Sequence, residues 1–212
     1  KLTTRSLEMN WRTTLSILIM ASLANCVAQK NMNMVPYVDD KFSTFDIKAF
    51  DQERVDRKRV IQKDGMYIEE EIQSYGYIRR TYHNDSYFKV NEKYYATGGI
   101  KTRALLFNSG SERGFRYEFN ERGSVVSRED TDTGYSFTWD DVIAYCNDRA
   151  IPLVKGYVHG GWQTMINKNK NDEGIAVWVV TWKKGLSRLE EITLDGATGE
   201  LLNTRDLEFV DP

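Results

Sequence analysis

Histidine, cysteine and proline are all scarce here: the 212-residue chain has two, two and three of them. With only His83 and His159, far apart in the sequence, the paired-histidine zinc motifs have no material. Neither Gly-x-Ser-x-Gly, a phosphate-binding glycine loop nor Cys-x-x-Cys occurs. Three prolines exclude a Pro-rich linker. Positive charge is not in excess either, since 29 Lys and Arg stand against 31 Asp and Glu. A nucleic-acid binder carries a basic excess or a basic stripe, so nucleic acid is not an expected partner. The longest apolar run, Leu15–Leu23, is well short of the ~20 residues a helix needs to span a bilayer.

That run reads instead as part of an export signal. Asn10-Trp11-Arg12 is a short positive n-region, Leu15–Leu23 an h-region, and a polar stretch follows at once. Met9 reads as the start and residues 9–28 as the signal peptide, with 1–8 an upstream or cloning remnant. Two cleavage modes fit. Cys26-Val27-Ala28 suits ordinary signal peptidase and would leave Gln29 as the new terminus. Leu23-Ala24-Asn25-Cys26 resembles a bacterial lipobox and makes Cys26 a candidate for lipidation, the one membrane attachment the sequence offers. Either mode predicts a protein of the periplasm or cell envelope. Cys146 is then left without an intramolecular partner, even in a compartment that permits disulfides.

Aromatic residues make up 12% of the chain, led by twelve tyrosines, and large rings suit the pleated surface of a sheet. After a lead-in over 29–59 containing Phe42, Phe45 and Phe50, residues 60–134 read as a β-meander. Its predicted strands are Met66–Ile72, Tyr75–Tyr82, Tyr87–Val90, Tyr94-Tyr95, Lys101–Phe107, Phe115–Phe119 and Ser124–Arg128. Glycine- and asparagine-marked turns fall at Thr97–Gly99, Asn108–Gly110 and Asn120–Gly123. Residues 135–212 read as a helix followed by a second sheet. Thr138 and Asp141 form a capping-box pair, and Trp139, Val142, Ile143, Cys146 and Ala150 make one apolar stripe. Pro152 stops it. Further strands are predicted at Leu153–Val158, Gly161–Ile166, Ile175–Trp182, Leu189–Leu194 and Leu201-Leu202, with a polar loop at 167–174. Ile175–Trp182, apolar on both faces, is expected at the centre of its sheet, receiving the helix through Trp178 and Trp182. The fold class is therefore α+β: an antiparallel hairpin meander, then a helix on a small antiparallel sheet.

Two segments carry a family likeness. Tyr94-Tyr-Ala-Thr-Gly-Gly-Ile-Lys and Tyr117-Glu-Phe-Asn-Glu-Arg-Gly-Ser-Val share an aromatic pair, a turn and a strand start at a period of about 24. Residues 91–128 thus resemble the MORN-type repeats of YwqK-like exported bacterial proteins. From Trp178-Val-Val-Thr-Trp through Glu191-Ile-Thr-Leu-Asp-Gly-Ala-Thr-Gly-Glu-Leu-Leu202 the chain resembles a PepSY-like module. The resemblance implies a non-enzymatic envelope protein with a binding or inhibitory role, an immunity function among the readings. Turn chemistry and strand patterning speak to fold more than to activity.

The remaining chemistry is sparse. His83 lies in Tyr-His-Asn-Asp-Ser and reads as exposed loop, and His159 precedes Gly160-Gly161 in a turn-like setting. Asp130-Thr-Asp-Thr-Gly and Asn167-Lys-Asn-Lys-Asn-Asp-Glu place oxygens at alternate positions, but neither keeps the glycine and bidentate glutamate of a calcium loop. No metal or cofactor is expected. Arg54–Arg59, the one basic cluster, is interrupted by Asp56 and reads as a solvated face or strand edge. Glu69–Glu71 reads as solvent-facing strand charge. Tyrosine is the better lead, because binding surfaces enrich it. Tyr75, Tyr77, Tyr82, Tyr87, Tyr94 and Tyr95 are the candidate partner-binding residues. The expected function is an exported, non-catalytic binding protein acting on a protein partner. A structural envelope-associated protein and an unrecognised hydrolase using His83 or His159 are the alternatives.

Overall fold

A computed structural model describes residues 34–209. The upstream remnant, the signal peptide and Cys26 lie outside the described residues. Within them the chain is mainly β, with two antiparallel sheets and two helices.

The first sheet is a seven-stranded meander in which every strand pairs with its sequence neighbours. Its strands are β1 (Lys58–Lys63), β2 (Met66–Gln73), β3 (Gly76–His83), β4 (Phe88–Tyr95), β5 (Ile100–Phe107), β6 (Glu112–Phe119) and β7 (Val125–Asp130). Tight turns set the registers. Asp64 and Gly65 between β1 and β2 both have positive φ, 51° and 72°, the backbone that a two-residue hairpin turn matching the strand twist requires. The Thr97–Gly99, Asn108–Gly110 and Asn120–Gly123 turns fall where glycine and asparagine predict them. The separate strands expected at Tyr87–Val90 and Tyr94-Tyr95 are one strand, because Asn91-Glu-Lys-Tyr continues the pairing with both neighbours.

The predicted lead-in is structured. It contains α1 (Ile47–Glu53), whose first turn is capped by the Asp46 carboxylate accepting from the Ala49 N–H. Phe45 and Phe50 bury against Tyr77, Tyr94, Ile100, Tyr117 and Phe119 of the sheet. Phe45 stacks on Tyr77 with ring centroids 4.5 Å apart.

The second helix, α2 (Trp139–Asp148), carries the capping box that Thr138 and Asp141 predict. Its apolar stripe ends at Cys146. Ala150 is exposed and lies beyond the helix with φ 55°. It occupies the left-handed position of a Schellman closure: Ala150 N–H donates to Asn147 C=O and Ile151 N–H to Cys146 C=O. Ile151 then turns back into the core.

The second sheet, in the order β11-β10-β9-β8, comprises β8 (Met165–Lys170), β9 (Ala176–Gly185), β10 (Arg188–Asp195) and β11 (Leu201–Glu208). β9 is internal, as its two apolar faces require. The strand expected at Leu153–Val158 does not form, and of the one expected at Gly161–Ile166 only Met165-Ile166 is strand, as the start of β8. Residues 151–164 run irregularly, with Gly156, Gly160 and Gly161 all at positive φ. Conversely, Asn167–Lys170, expected as loop, completes β8. That strand is polar because its outward positions meet solvent, while Ile166 alone fills the core. β11 extends beyond Leu201-Leu202 to Glu208 because it is an edge, exposed along nearly all its length.

One core joins the two sheets. Phe88, Leu105 and Phe107 of the meander pack with Trp139, Val142, Ile143 and Cys146 of α2 and with Ile166, Trp178, Val180, Ile192 and Leu194 of the second sheet. Trp139 is the hinge of this cluster. It stacks on Phe107 at 5.6 Å and meets Trp178 edge-on at 4.7 Å. A single parallel bridge, Gly110 to Ile166, links the sheets through their backbones.

Candidate functional site

The seven-stranded sheet has two faces of different character. Because strand side chains alternate, the registers place Arg59, Glu70, Arg79, Glu92 and Arg103 in one row across β1 to β5. They form a ladder of alternating charge on the inner face. Arg59 bonds Glu70 at 2.6 Å, Arg79 takes the other Glu70 oxygen at 2.7 Å, and Arg103 bonds Glu92 at 2.9 Å. Glu53 of α1 and Asp39 close the two ends at 3.4 and 2.7 Å. Glu70 is fully buried, at 0% exposure, so burial of charge is compensated on both sides, as it must be. On either side of the row lie the two apolar clusters. The inner face is thus the structural one.

The outer face carries Glu69 and Glu71 of β2, Ile78, Arg80 and Tyr82 of β3, Lys89, Asn91, Lys93 and Tyr95 of β4, and Thr102, Ala104 and Leu106 of β5. Its ion pairs are local. Lys58 bonds Glu69 at 3.0 Å, and Arg80 reaches Glu69 and Glu71 at the loose distances of 3.5 and 3.4 Å. Toward β7, Arg116 is surrounded by Glu112, Glu118 and Glu129. Lys89 lies over the Tyr82 ring and donates to Asn108 C=O at 2.6 Å. Burial, reinforced by the nearby Arg80 charge and partly offset by Glu69, pulls its ammonium down to about 8. The side chains of Asn91 and Lys93, half-exposed in the middle of this face, make no hydrogen bond or ion pair among the described residues.

The six tyrosines named from the sequence divide between these settings. Tyr77 and Tyr94 belong to the inner core, and Tyr82 is buried beneath Lys89; none of the three offers a contact surface. Tyr77 and Tyr94 are inward because residues two apart on a strand share a face, and they share theirs with the charge ladder. Tyr87 packs beside the shared core, with Lys155 over its ring at 5.1 Å. Tyr75, 42% exposed, and the half-exposed Tyr95 remain at the surface, both flanking Lys101. Tyr95 also donates to Phe119 C=O at 2.7 Å.

At the opposite margin of the outer face Tyr67 stacks on Tyr157 with centroids 3.7 Å apart, and His159 meets both rings edge-on. Burial and the neighbouring Tyr157 hydroxyl push the Tyr67 phenol up to about 12. Together with Gln62, Asn84 and the Asp64-Gly65 turn, these rings line an open pocket of about 300 Å³. Sequence reasoning missed Tyr67 and Tyr157 as a pair, since 90 residues separate them and the segment that brings Tyr157 home is irregular.

The other sequence candidates are spent structurally. His83 is the last residue of β3 on the inner side of the sheet, half-buried and not in a loop, and His159 lies against the outer face; the fold does not bring them together. Cys146 is fully buried in the core, and burial raises its thiol to about 12, which leaves no thiolate at neutral pH. Asp132 accepts from Gly114 N–H at 2.8 Å and holds Lys168 at 2.8 Å. Asp130 caps the Asp132 N–H, and Asn171 closes its own turn through the N–H groups of Glu173 and Ile175. The Arg54–Arg59 cations disperse to Asp51, to the Ile72 carbonyl and to Glu69 and Glu70. The glutamates expected to face solvent do so poorly: Glu69 and Glu71 lie on the outer face at only 13% and 19% exposure, and Glu70 between them, turned inward by the strand's alternation, is the most buried charge of the ladder. Among the described residues no helix is long and apolar enough to cross a membrane. No family model, curated protein or solved structure matches the chain.

Proposed function

We propose that this is an exported, non-catalytic binding protein that holds a protein partner against the outer face of its seven-stranded sheet. The observation that supports this reading is the division of labour between the two faces. The two apolar clusters lie on the inner face of the meander, while the outer face keeps half-exposed polar groups without partners at its centre and tyrosines at both margins. Tyr75 and Tyr95 stand at one margin, Tyr67 and Tyr157 at the other. Tyrosine is enriched in protein-binding surfaces, and both margins of this face present it. The export signal read in residues 9–28 supports an encounter in the periplasm or envelope, on a soluble chain or on one anchored through Cys26. The resemblance to YwqK-like and PepSY-like proteins favours an inhibitor or immunity role.

The test is affinity capture. The chain from Gln29 onward is presented to a native envelope extract, beside a Tyr75→Ala variant and a variant with a photo-crosslinking residue in place of Tyr95. One stoichiometric protein, crosslinked at position 95 and weakened at least tenfold by the Tyr75 change, is the expected result. Recovery of peptidoglycan-associated and abundant envelope proteins alone, or of nothing, overturns the reading in favour of a structural envelope role.

A further inference from the structure

The middle of the outer face has a chemistry of its own. Lys89, Asn91 and Lys93 follow one another on the same side of β4, and the register sets Arg80 of β3 directly opposite Asn91. Three cations therefore surround one amide. Arg80 alone forms ion pairs, loose contacts at 3.5 and 3.4 Å with Glu69 and Glu71, and Glu69 also acts on Lys89 through space. One N–H of Lys89 is committed to Asn108 C=O, which leaves two of its donors unspent. Lys93 is bracketed by Ile78 and Thr102 as cross-strand neighbours, neither of which offers it a countercharge. A patch holding more cationic donors than acceptors, half-shielded from water, is set up to take an anion from outside.

Spacing and surroundings select the kind of anion. At ~3.3 Å per residue, Lys89 and Lys93 lie about 13 Å apart along the strand. That is also the separation of two side chains four positions apart on an extended peptide. Asn91, midway, presents a donor and an acceptor together, which suits a peptide group. The patch is short and fenced. Glu69 and Glu71 border it on the β2 side, and Glu112, Glu118 and Glu129 lie toward β7. A long polyanion laid across the sheet would run into these carboxylates, whereas a discrete pair of acidic side chains would not.

We propose that Lys89, Asn91, Lys93 and Arg80 form the recognition site for an extended acidic segment of the partner, with two carboxylates four residues apart seated on Lys89 and Lys93. This rests on the reading of the outer face as the partner surface and names what the partner must present.

The experiment titrates the full exported chain with a nine-residue peptide bearing two glutamates four positions apart. Its glutamine analogue, a peptide with the glutamates two apart, and a sulfated polysaccharide serve as comparisons. The first peptide is expected to bind at least tenfold more tightly than either peptide control. Lys93→Glu and, independently, Lys93→Met should each weaken it at least tenfold with a nearly unchanged melting temperature, since Lys93 makes no hydrogen bond or ion pair among the described residues. In the nuclear magnetic resonance titration of Lys89, a midpoint near 8 in the free chain should move upward by a unit or more when the peptide is bound, because the carboxylate restores a countercharge (Arg80 and Glu69 being the charges that already act on it). Equal binding of the glutamine analogue, equal binding by both Lys93 variants, or preference for the polysaccharide overturns the proposal. Failure here stays distinct from failure of the partner reading: a protein captured and crosslinked at position 95 by the Lys93→Glu variant as well as by the parent keeps the face and removes the carboxylate site.

Discussion

At the scale of single residues, burial decides what each side chain does. Glu70 illustrates this most sharply: the sequence shows three consecutive glutamates, and only the register reveals that the middle one is buried between two arginines at 2.6 and 2.7 Å. Removing its charge leaves Arg59 only the more distant Glu53 at 3.4 Å and Arg79 only Glu92 at 3.9 Å. Glu70→Gln is therefore expected to destabilise the fold by about 3 kcal/mol, measured as a shift in the urea midpoint at constant m-value. The neighbouring Glu71→Gln, on the outer face and loosely paired at 3.4 Å with a partly exposed Arg80, should cost about 1 kcal/mol or less. A titratable residue also governs a local response to acid. Asp141 accepts from the Thr138 hydroxyl and from its N–H, and these bonds hold its carboxyl below the ordinary range. A group with a lowered folded value contributes fully above the unfolded carboxylate value of ~3.9 and loses that contribution as pH falls through the folded one. Asp141→Asn should accordingly flatten the acid limb of the stability curve below about pH 4; an unchanged slope there would show that the cap carries no linkage. The tyrosines make the same point from the other side. The sequence marks both segments as aromatic strand material, but not which parity faces inward.

Elements whose signal is local were readable, and those whose signal is a distant partner were not. The capping box of α2, the turns at Thr97–Gly99 and Asn120–Gly123 and the doubly apolar β9 all carry their information within a few residues. β8 does not. Its Asn-Lys-Asn-Lys tail is poor strand material by propensity, and pairing with β9 overrides it. The Gly-rich stretch 151–164 fails in the opposite direction, because three positive-φ glycines interrupt an otherwise strand-like composition. The close of α2 yields a stabilising change. Ala150 holds φ 55°, where an L-residue is strained and glycine is not. Ala150→Gly should raise stability by about 0.5–1 kcal/mol, the relief of strain exceeding glycine's extra unfolded-state freedom. A lower melting temperature for this variant would refute the closure described here.

For the whole molecule, the shared core predicts coupled unfolding. Phe107, Trp139 and Trp178 interlock residues from both sheets, and Lys168 of β8 binds Thr131 and Asp132 just after β7. Tryptophan fluorescence, with Trp178 and Trp182 in the second sheet, should report the same denaturant midpoint as amide exchange in β2 to β5; two separated midpoints would mean that each sheet holds itself up. The backbone bridge offers a direct probe. A Cβ on Gly110 would sit 2.0 Å from the Ile166 carbonyl oxygen, so Gly110→Ala must push the sheets apart. The expected loss is about 3 kcal/mol, shared equally by reporters on both sides, where a change confined to the hairpin would move neither.

The charge ladder sets a rule for how such a sheet changes length. Arginine occupies β1, β3 and β5 of the row and glutamate β2 and β4, so the sign repeats every two strands, which is one hairpin. Excising the β2–β3 hairpin would lay Arg59 beside Glu92 and leave the alternation whole; inserting a copy of it would do the same. Losing or gaining a single strand would instead press like charges together in a dry interior. The meander can thus be lengthened or shortened by duplication and deletion of hairpins in even steps, with parity acting as the arithmetic that sorts viable descendants from unfolded ones.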